Sequence, residues 1–534
     1  MSEPLRCTPD DGVFVGWDFS TGQVKAIAFD LAGKVVAEVH LPTDLWRGPI
    51  QNDQLVEPGT SELNLLQLEG QARASVRALA PLLRDAGRLE NWAAGGISAT
   101  HHTSGRIDRH HVQVRRAICW NDQTLAPYHE KGLQRLGGDQ RVRTLIGGPW
   151  AMRYTLSHLV KDEEHLGERD WKRTHRILPH GALAAGFLTG NFDVVSVSAA
   201  ASTGIMDLRD RSWCPAMLGA LRRPDYRALA LEQLPAIVDQ DEPLGPLAEH
   251  VALDAGLDLR NSRDPRRRPL VFPTSDDQQA GLLGGGAVAE GDAAVILGNS
   301  AVVNSSAAQA ADTEQLDVMR LNWGPYLWMR CYNNGAQFVD TVVQSRPEWT
   351  KAQWDALETE ARAFAPASNG ARVRPFLNPE PSLGVGPGAT GVRWDGPEPT
   401  NPGQRYRAAL ESLAYLIALG VRAHEDAGQT IKRITVSGGL ARSDLACEIL
   451  AAVLHRPLQR LGSEEGPALG AAITAVAGHE TLLRRQEGIE DPFTVQDAAA
   501  LLVSYRDPVQ PDPRWKRVYQ DELARFERRL PEGR

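Results

Sequence analysis

Val13 to Asp30 reads VFVGWDFSTGQVKAIAFD, two β-rich runs either side of Ser20-Thr21-Gly22, which spells a hairpin. The first run ends at an acidic residue, Asp18, and the second restarts at Val24. Short side chains and Gly at such a tip let backbone N–H groups and the Thr21 hydroxyl, with Ser20 beside them, approach an anion. A carboxylate beside phosphates is useful by holding Mg²⁺ or its waters, so Asp18 is a candidate metal residue. The same pattern also suits an ordinary surface hairpin, since acidic and Gly-containing turns are common there.

Further segments of this character follow at large spacing. Val295 to Val303, VILGNSAVV, brackets the turn Gly298-Asn299-Ser300 with β-branched runs. Ile434 to Ser443, ITVSGGLARS, runs a strand into Gly438-Gly439 and then into a helix beginning near Ser443; EEGPALGAAITAVAG opens another helix at Gly466-Pro467. In this order the set resembles the FGGY family of carbohydrate kinases, within the actin, Hsp70 and sugar kinase superfamily. The resemblance runs from about Val13 to about Gly478, and GWDFSTGQVKA is particularly similar to the xylulokinases of that family. It implies an α/β fold of two ribonuclease-H-like domains around a central cleft, closing on ATP and Mg²⁺. The implied boundaries are 12–287 for a sugar-binding N-terminal domain, 288–485 for a nucleotide-binding C-terminal domain, and 486–534 for a helical extension.

Composition fits that reading. A chain of 534 residues with 42% hydrophobic content has room for two to four globular domains. A net charge of −9 argues against a nucleic-acid partner, which calls for a basic face. The one concentrated basic run, Arg266-Arg267-Arg268 beside Asp264 and Pro265, reads as a solvated interdomain loop. The five cysteines, Cys7, Cys119, Cys214, Cys331 and Cys447, are far apart and form no CxxC spacing, which excludes a compact thiolate zinc site and favours a reducing compartment. The start, MSEPLRCTPDDG, has no apolar core of signal length, and no run approaches the roughly 18 apolar residues of a membrane span. The expectation is a cytoplasmic protein acting on a small-molecule sugar or polyol, without membrane or nucleic-acid partners, with a homodimer as one option for its assembly.

Periodicity predicts a third strand over 34–40, a helix over 61–83, strands over 92–98 and 114–119, and helices over 125–136, 156–166 and 180–188. Pro, Asp and Arg accumulate over 239–269, marking a seam, after which PLVFP starts a buried strand. In the second half a long amphipathic helix is predicted over 405–427, and the tail after Gly478 reads as polar helices with Pro-rich joints. Strands interleaved with helices argue for α/β layers.

The chemistry is expected at Phe272 to Gly281, FPTSDDQQAG, where an apolar strand delivers Asp276 and Asp277 to the start of a helix. Phosphoryl transfer to an alcohol needs a carboxylate within hydrogen-bond reach of the attacking hydroxyl, the rest being positioning and charge neutralisation. By resemblance to the family's Gly-Asp-Asn or Gly-Asp-Gln segment, Asp277 is the catalytic base and Gln278 a substrate contact; DQQA looks like the glycerol kinase version. Asp276 departs from the family's Gly. It either raises the base's pKa by like-charge repulsion or caps the helix, and the cap is favoured.

ISATHH (97–102) matches a strand end that carries Gln-Met-His in xylulokinases, which assigns His101 and His102 to sugar contact. AICWNDQ (117–123) matches a Trp-Asn-Asp element, with Trp120 as an apolar wall and Asp122 either accepting sugar hydroxyls or bracing the pocket. His101, His102, His110 and His111 have the look of a zinc cluster, but neighbouring histidines on a strand point to opposite faces, which argues against one. Ala199, where many pentulose kinases place Asp or Asn after the counterpart of Ser198, and Thr124, where they often place Arg, leave the sugar open. On the nucleotide side Gly298 and Asn299 are implied near the β- and γ-phosphates, and Gly438, Gly439 and Ser443 along the ribose and adenine. Lys25 is either a charge stabiliser or a solvated edge residue. The reading is an ATP-dependent carbohydrate kinase acting on a ketopentose such as D-xylulose. The alternatives are a glycerol or other polyol kinase and a non-catalytic ATP-binding regulator.

Overall fold

The opening hairpin forms: in the computed structural model Val13–Phe19 pairs antiparallel with Gln23–Asp30, which pairs antiparallel with Val35–Pro42. The structure describes residues 6–48, 50–51, 54–55, 57–257, 268–346, 348–462 and 465–531. Asp264, Pro265, Arg266 and Arg267 of the basic run lie outside them; Arg268 donates from Nη1 to the Leu247 carbonyl at 3.0 Å. The chain divides into two compact units. Unit 1 is Met1–Gly286, Val318–Leu327 and Pro467–Val503; unit 2 is Ala287–Asp317, Trp328–Gly466 and Ser504–Arg534. This division differs from boundaries at 287/288 and 485/486, because 467–503 sits with unit 1.

In unit 1 the hairpin strand Val13–Phe19 runs parallel to Trp92–Ala99, which in turn is parallel to the short strands Leu270–Val271 and Ser275–Asp276. The crossover contains the helix Leu65–Asp85, capped by Asn64, whose side chain accepts from the Leu66 N–H at 3.0 Å. A helix starting at 61 is therefore corrected: Ser61–Leu63 is a strand paired with Leu45–Arg47 and Gln113–Ile118, and Asn64 is the stop between strand and helix. The helix Gly466–Gln486 lies against the sheet at a spacing only glycine permits. A Cβ on Gly16 would stand 1.8 Å from the Ala468 carbonyl oxygen, and one on Gly470 1.8 Å from that of Ala280. That close approach is why the segment from Pro467 belongs to unit 1.

Unit 2 repeats the plan. Asp292–Leu297 pairs antiparallel with Ala301–Ala307 and parallel with Arg433–Ser437, which is parallel to Gln459–Arg460. The helix Pro402–Asp426 crosses this unit, and it is not amphipathic: every residue from Tyr406 to Val421 is buried. Helices Lys351–Arg362 and Asp444–Leu454 pack on it beside the sheet, leaving almost no solvent face. The five cysteines are all free thiols. Among the described residues, no helix is long and apolar enough to cross a membrane.

Candidate functional site

Strand register brings the acidic residues of unit 1 to one end of its sheet. Asp18 and Ser275 both pair with Ser98, and Asp276 pairs with Ala99. The Ser98 hydroxyl donates to Asp18 Oδ1 at 2.8 Å. Carboxyl ends of parallel strands are where α/β sheets place ligands, because the following loops leave the core there. Asp276 caps the helix Asp277–Gly284, its Oδ1 accepting from the N–H groups of Gln278 at 3.0 Å and Gln279 at 2.9 Å. Its Oδ2 accepts from the Ser198 hydroxyl and lies 3.8 Å from His101 Nε2.

With Asp276 turned into the cap, Asp277 opens the helix and carries the reactive character. Desolvation, then the charges of Asp276 and Asp18, push its pKa up to about 8, while the backbone N–H groups of His101 and Gln278 act in the opposite direction. Both readings of Asp276 thus hold at once. Asp277 Oδ1 is buried and has no hydrogen-bond partner. A desolvated carboxyl with an open acceptor and a pKa near neutrality is suited to taking a proton from an incoming hydroxyl.

His101 and His102 do not point to opposite faces. They lie in the turn after Trp92–Ala99, His102 at φ +56, and their rings stack at 3.8 Å and 15°. The opposite-face rule applies to strand backbone, and the left-handed residue breaks it. His102 also stacks on Tyr154 at 4.4 Å, a partner that nothing in the sequence signals. Its Nδ1 lies 3.3 Å from the Ser202 carbonyl, and burial holds its pKa well below the ordinary imidazole value. The neutral ring therefore donates from Nδ1 and offers its buried, unpartnered Nε2 as an acceptor. His110 and His111 occupy the far turn between Ser104–Asp108 and Gln113–Ile118, where His111 stacks on Phe192. The four histidines are not one cluster; among the described residues the one group with metal-ligating atoms within 4.8 Å of one another is His101, Asp276 and Asp277.

Asp122 is 1% exposed and already accepts from the Ser61 N–H at 2.8 Å, the Thr124 N–H at 2.9 Å and the Thr124 hydroxyl. Its geometry is that of a brace. Lys161 Nζ completes the chain by donating to the Thr124 hydroxyl at 2.5 Å. Trp120 is 42% exposed and leaves much of its indole open, while Gln278 is half-buried in the first turn of the Asp277 helix. At the hairpin tip Ser20 is spent on the turn, its hydroxyl donating to the Gln23 carbonyl at 2.8 Å; Thr21 is half-buried beside it. The charges of Asp276 and Asp18 both act on the Asp277 carboxyl, whose Oδ1 is buried and open, and hard carboxylate oxygens of this kind are the donors a divalent cation takes.

In unit 2 the glycine turns converge. Gly438 takes φ +91, and a Cβ there would stand 2.5 Å from the carbonyl oxygen of Leu297, the residue before Gly298. Gly335, not singled out in the sequence, abuts the same turn: a Cβ on it would meet the Gly298 carbonyl at 2.4 Å, and the Ala336 N–H donates to that carbonyl at 2.8 Å. Asn299 is exposed at the tip. Gly439 and Ser443 line a cavity of about 550 Å³ together with Trp349, Trp354, Tyr406 and Glu358, a size suited to a small-molecule ligand. Trp349 and Trp354 meet edge to face at 5.0 Å. Ser443 caps the helix Asp444–Leu454 and donates its hydroxyl to Glu358 Oε2 at 2.6 Å.

Residues 13–284 match the N-terminal domain and residues 293–479 the C-terminal domain of the FGGY family of carbohydrate kinases. The chain is 27% identical over 476 residues to the xylulose kinase of Escherichia coli K12, covering 86% of this chain and 89% of that one. It is 27% identical over 488 residues to the glycerol kinase of Methylorubrum extorquens PA1, covering 86% and 88%. Its fold is similar to that of ligand-bound xylulose kinase from Lactobacillus acidophilus, with TM-score 0.78, 17% identity and coverage of 96% and 97%. With both family domains matched in order, the chain belongs to the FGGY family of carbohydrate kinases, enzymes that use ATP to phosphorylate a small-molecule sugar or polyol.

Proposed function

We propose that this kinase phosphorylates a ketopentose such as D-xylulose, with Asp277 as the general base. The observation that carries the assignment is the Asp277 carboxyl, desolvated at a helix start, with an open oxygen and a pKa of about 8. In this reading Asp277 removes the proton from the attacking sugar hydroxyl. His102 Nε2 accepts from a second hydroxyl, and His101 and Gln278 contact the sugar. Trp120 covers its carbon face. Asp122 holds the Trp120 segment in place through Ser61 and Thr124. Relatives named xylulose kinase support the pentulose. DQQAG and the glycerol kinase relative favour glycerol or another polyol as the second reading; a non-catalytic regulator is the weaker one, having no use for a base at a second substrate.

Asp18 is the residue proposed to hold Mg²⁺, and Thr21, presented by the turn that the Ser20 hydroxyl closes, faces phosphate. Bound there, the ion would neutralise phosphate charge and favour the ionised form of Asp277. The turn Gly298-Asn299 takes the phosphates, while Gly438, Gly439 and Ser443, the last two on the aromatic cavity, take ribose and adenine. In this reading unit 1 serves the sugar and unit 2 the nucleotide; the five free thiols suit a reducing cytoplasm. A coupled ADP-release assay across ketoses, polyols and aldonates tests the substrate. Highest kcat/KM with a ketopentose supports the reading, whereas preference for glycerol replaces it with the polyol kinase and no turnover with any acceptor favours the regulator.

A further inference from the structure

Asn322 occupies a tight turn, LNWGP at 321–325, closed by Leu321 N–H to the Pro325 carbonyl at 2.9 Å and Gly324 N–H to the Leu321 carbonyl at 3.1 Å. The residue is 3% exposed. Its backbone N–H donates to Gln279 Oε1 at 2.8 Å, its Nδ2 donates to the Thr274 carbonyl at 2.9 Å, and its Oδ1 accepts from the Ser198 N–H at 2.8 Å. These three partners surround the pair Asp276-Asp277. Thr274 is the last residue before the short strand Ser275–Asp276, and Gln279 lies in the first turn of the helix that Asp277 opens. Ser198 is the hydroxyl donor to Asp276 Oδ2. Gln279 closes the loop by donating from Nε2 to the Ser275 hydroxyl at 2.8 Å.

One residue therefore ties three segments to a single point, its side-chain amide holding the strand entry and the Ser198 segment and its backbone N–H holding the helix start. A planar amide suits this place because it offers a donor and an acceptor in fixed relation, and the surrounding groups are a carbonyl and an N–H that burial would otherwise leave unpaired. We propose that Asn322 is a positioning residue that fixes the Asp277 carboxylate against the sugar hydroxyl. The proposal rests on the reading of Asp277 as the base. Nothing about Asn322 touches the reacting atoms. Its effect is on where the carboxylate stands, and a displacement of about 1 Å costs on the order of 100-fold in rate.

The test compares full-length Asn322→Ala and Asn322→Asp with wild type, each rate divided by the number of nucleotide-binding sites measured by calorimetry with a non-hydrolysable ATP analogue. Positioning predicts that Asn322→Ala loses about 10- to 100-fold in kcat per site while the KM for ATP stays within about twofold. Asn322→Asp, which keeps an oxygen for the Ser198 N–H but turns a second acceptor toward the Thr274 carbonyl and buries another carboxyl near Asp276, should lose at least as much. If the Ala variant is insoluble, the Asp variant decides alone. A merely structural Asn322 lowers the melting temperature and the number of sites yet leaves kcat per site unchanged, and that result overturns the proposal. Asp277→Asn measured alongside separates the two readings. Full turnover there removes the base, whereas an inactive Asp277→Asn beside unaffected Asn322 variants removes only the positioning role.

Discussion

Replacing Asp277 by Asn should stabilise the metal-free protein at alkaline pH. The carboxyl stands at about 8 against an ordinary 3.8, a rise of about four units, and each unit corresponds to about 1.4 kcal/mol of preference for the protonated form. The ceiling is then about 6 kcal/mol; Asp277 is half-buried and shares its field with Asp276 and Asp18, so about 2 to 4 kcal/mol is the working figure. The sign follows from proton counts. Below about pH 4 the group is protonated folded and unfolded, and it contributes nothing. Between about pH 4 and 8 the folded protein holds a proton that the unfolded chain has released, so wild-type stability falls as pH rises. Above about pH 8 the folded protein bears the full cost of a buried anion. Asn removes that cost and still accepts through its carbonyl oxygen. Thermal unfolding in EDTA at pH 5, 7 and 8.5 reads the difference, at about 1–2 °C per kcal/mol for a unit of this size. The Asn variant should gain several degrees over wild type between pH 5 and 8.5. A gap that stays constant or narrows would refute the claim that Asp277 is a destabilised, desolvated acid.

Asp18→Ala should raise the Mg²⁺ concentration for half-maximal rate at least about tenfold, roughly the loss of one charged ligand interaction; an unchanged Mg²⁺ dependence takes Asp18 out of the metal shell. Asp122→Asn should lower stability by about 1–3 kcal/mol, since an acceptor for the Ser61 or Thr124 N–H is lost in a buried site, and should disturb the sugar KM only secondarily. A large KM rise at unchanged melting temperature would make Asp122 a sugar contact instead. Trp354→Ala should weaken nucleotide binding about three- to tenfold through lost aromatic packing, worth roughly 0.5–1.5 kcal/mol, without altering sugar KM; calorimetry with an ATP analogue showing equal affinity would move the base out of that cavity.

Strand-turn-strand chemistry was legible because it is local. The turn Ser20-Thr21-Gly22, the turn Gly298-Asn299-Ser300 and the passage through Gly438 each announce themselves by small residues between β-branched runs, and all fall where the sequence puts them. The Asp276 cap was legible for the same reason, since an acidic residue before a helix start has few other uses. Long-range partners were not. Ser98 reaches Asp18 only through parallel register, Tyr154 meets His102 from a distant helix start, and Asn322 sits in a turn whose sequence carries no chemical signature. The histidine pair escapes strand alternation because His101 and His102 lie two and three residues beyond Ala99, where the strand ends, and His102 is left-handed. The helix Pro402–Asp426 misled because its polar residues, Arg407 and Glu411, pair with each other at 3.0 Å inside the core instead of facing water.

The central claim is that Asp277 takes the proton of the acceptor hydroxyl, and turnover of Asp277→Asn tests it most directly. Transfer of label from γ-labelled ATP to the preferred sugar, followed by separation of the sugar phosphate, gives kcat for both proteins, and calorimetry gives their affinity for an ATP analogue. The account predicts a loss of about 100- to 10,000-fold in kcat, the range for a positioned general base, with nucleotide affinity unchanged within about twofold. A folded Asp277→Asn protein that forms sugar phosphate at the wild-type rate would contradict it.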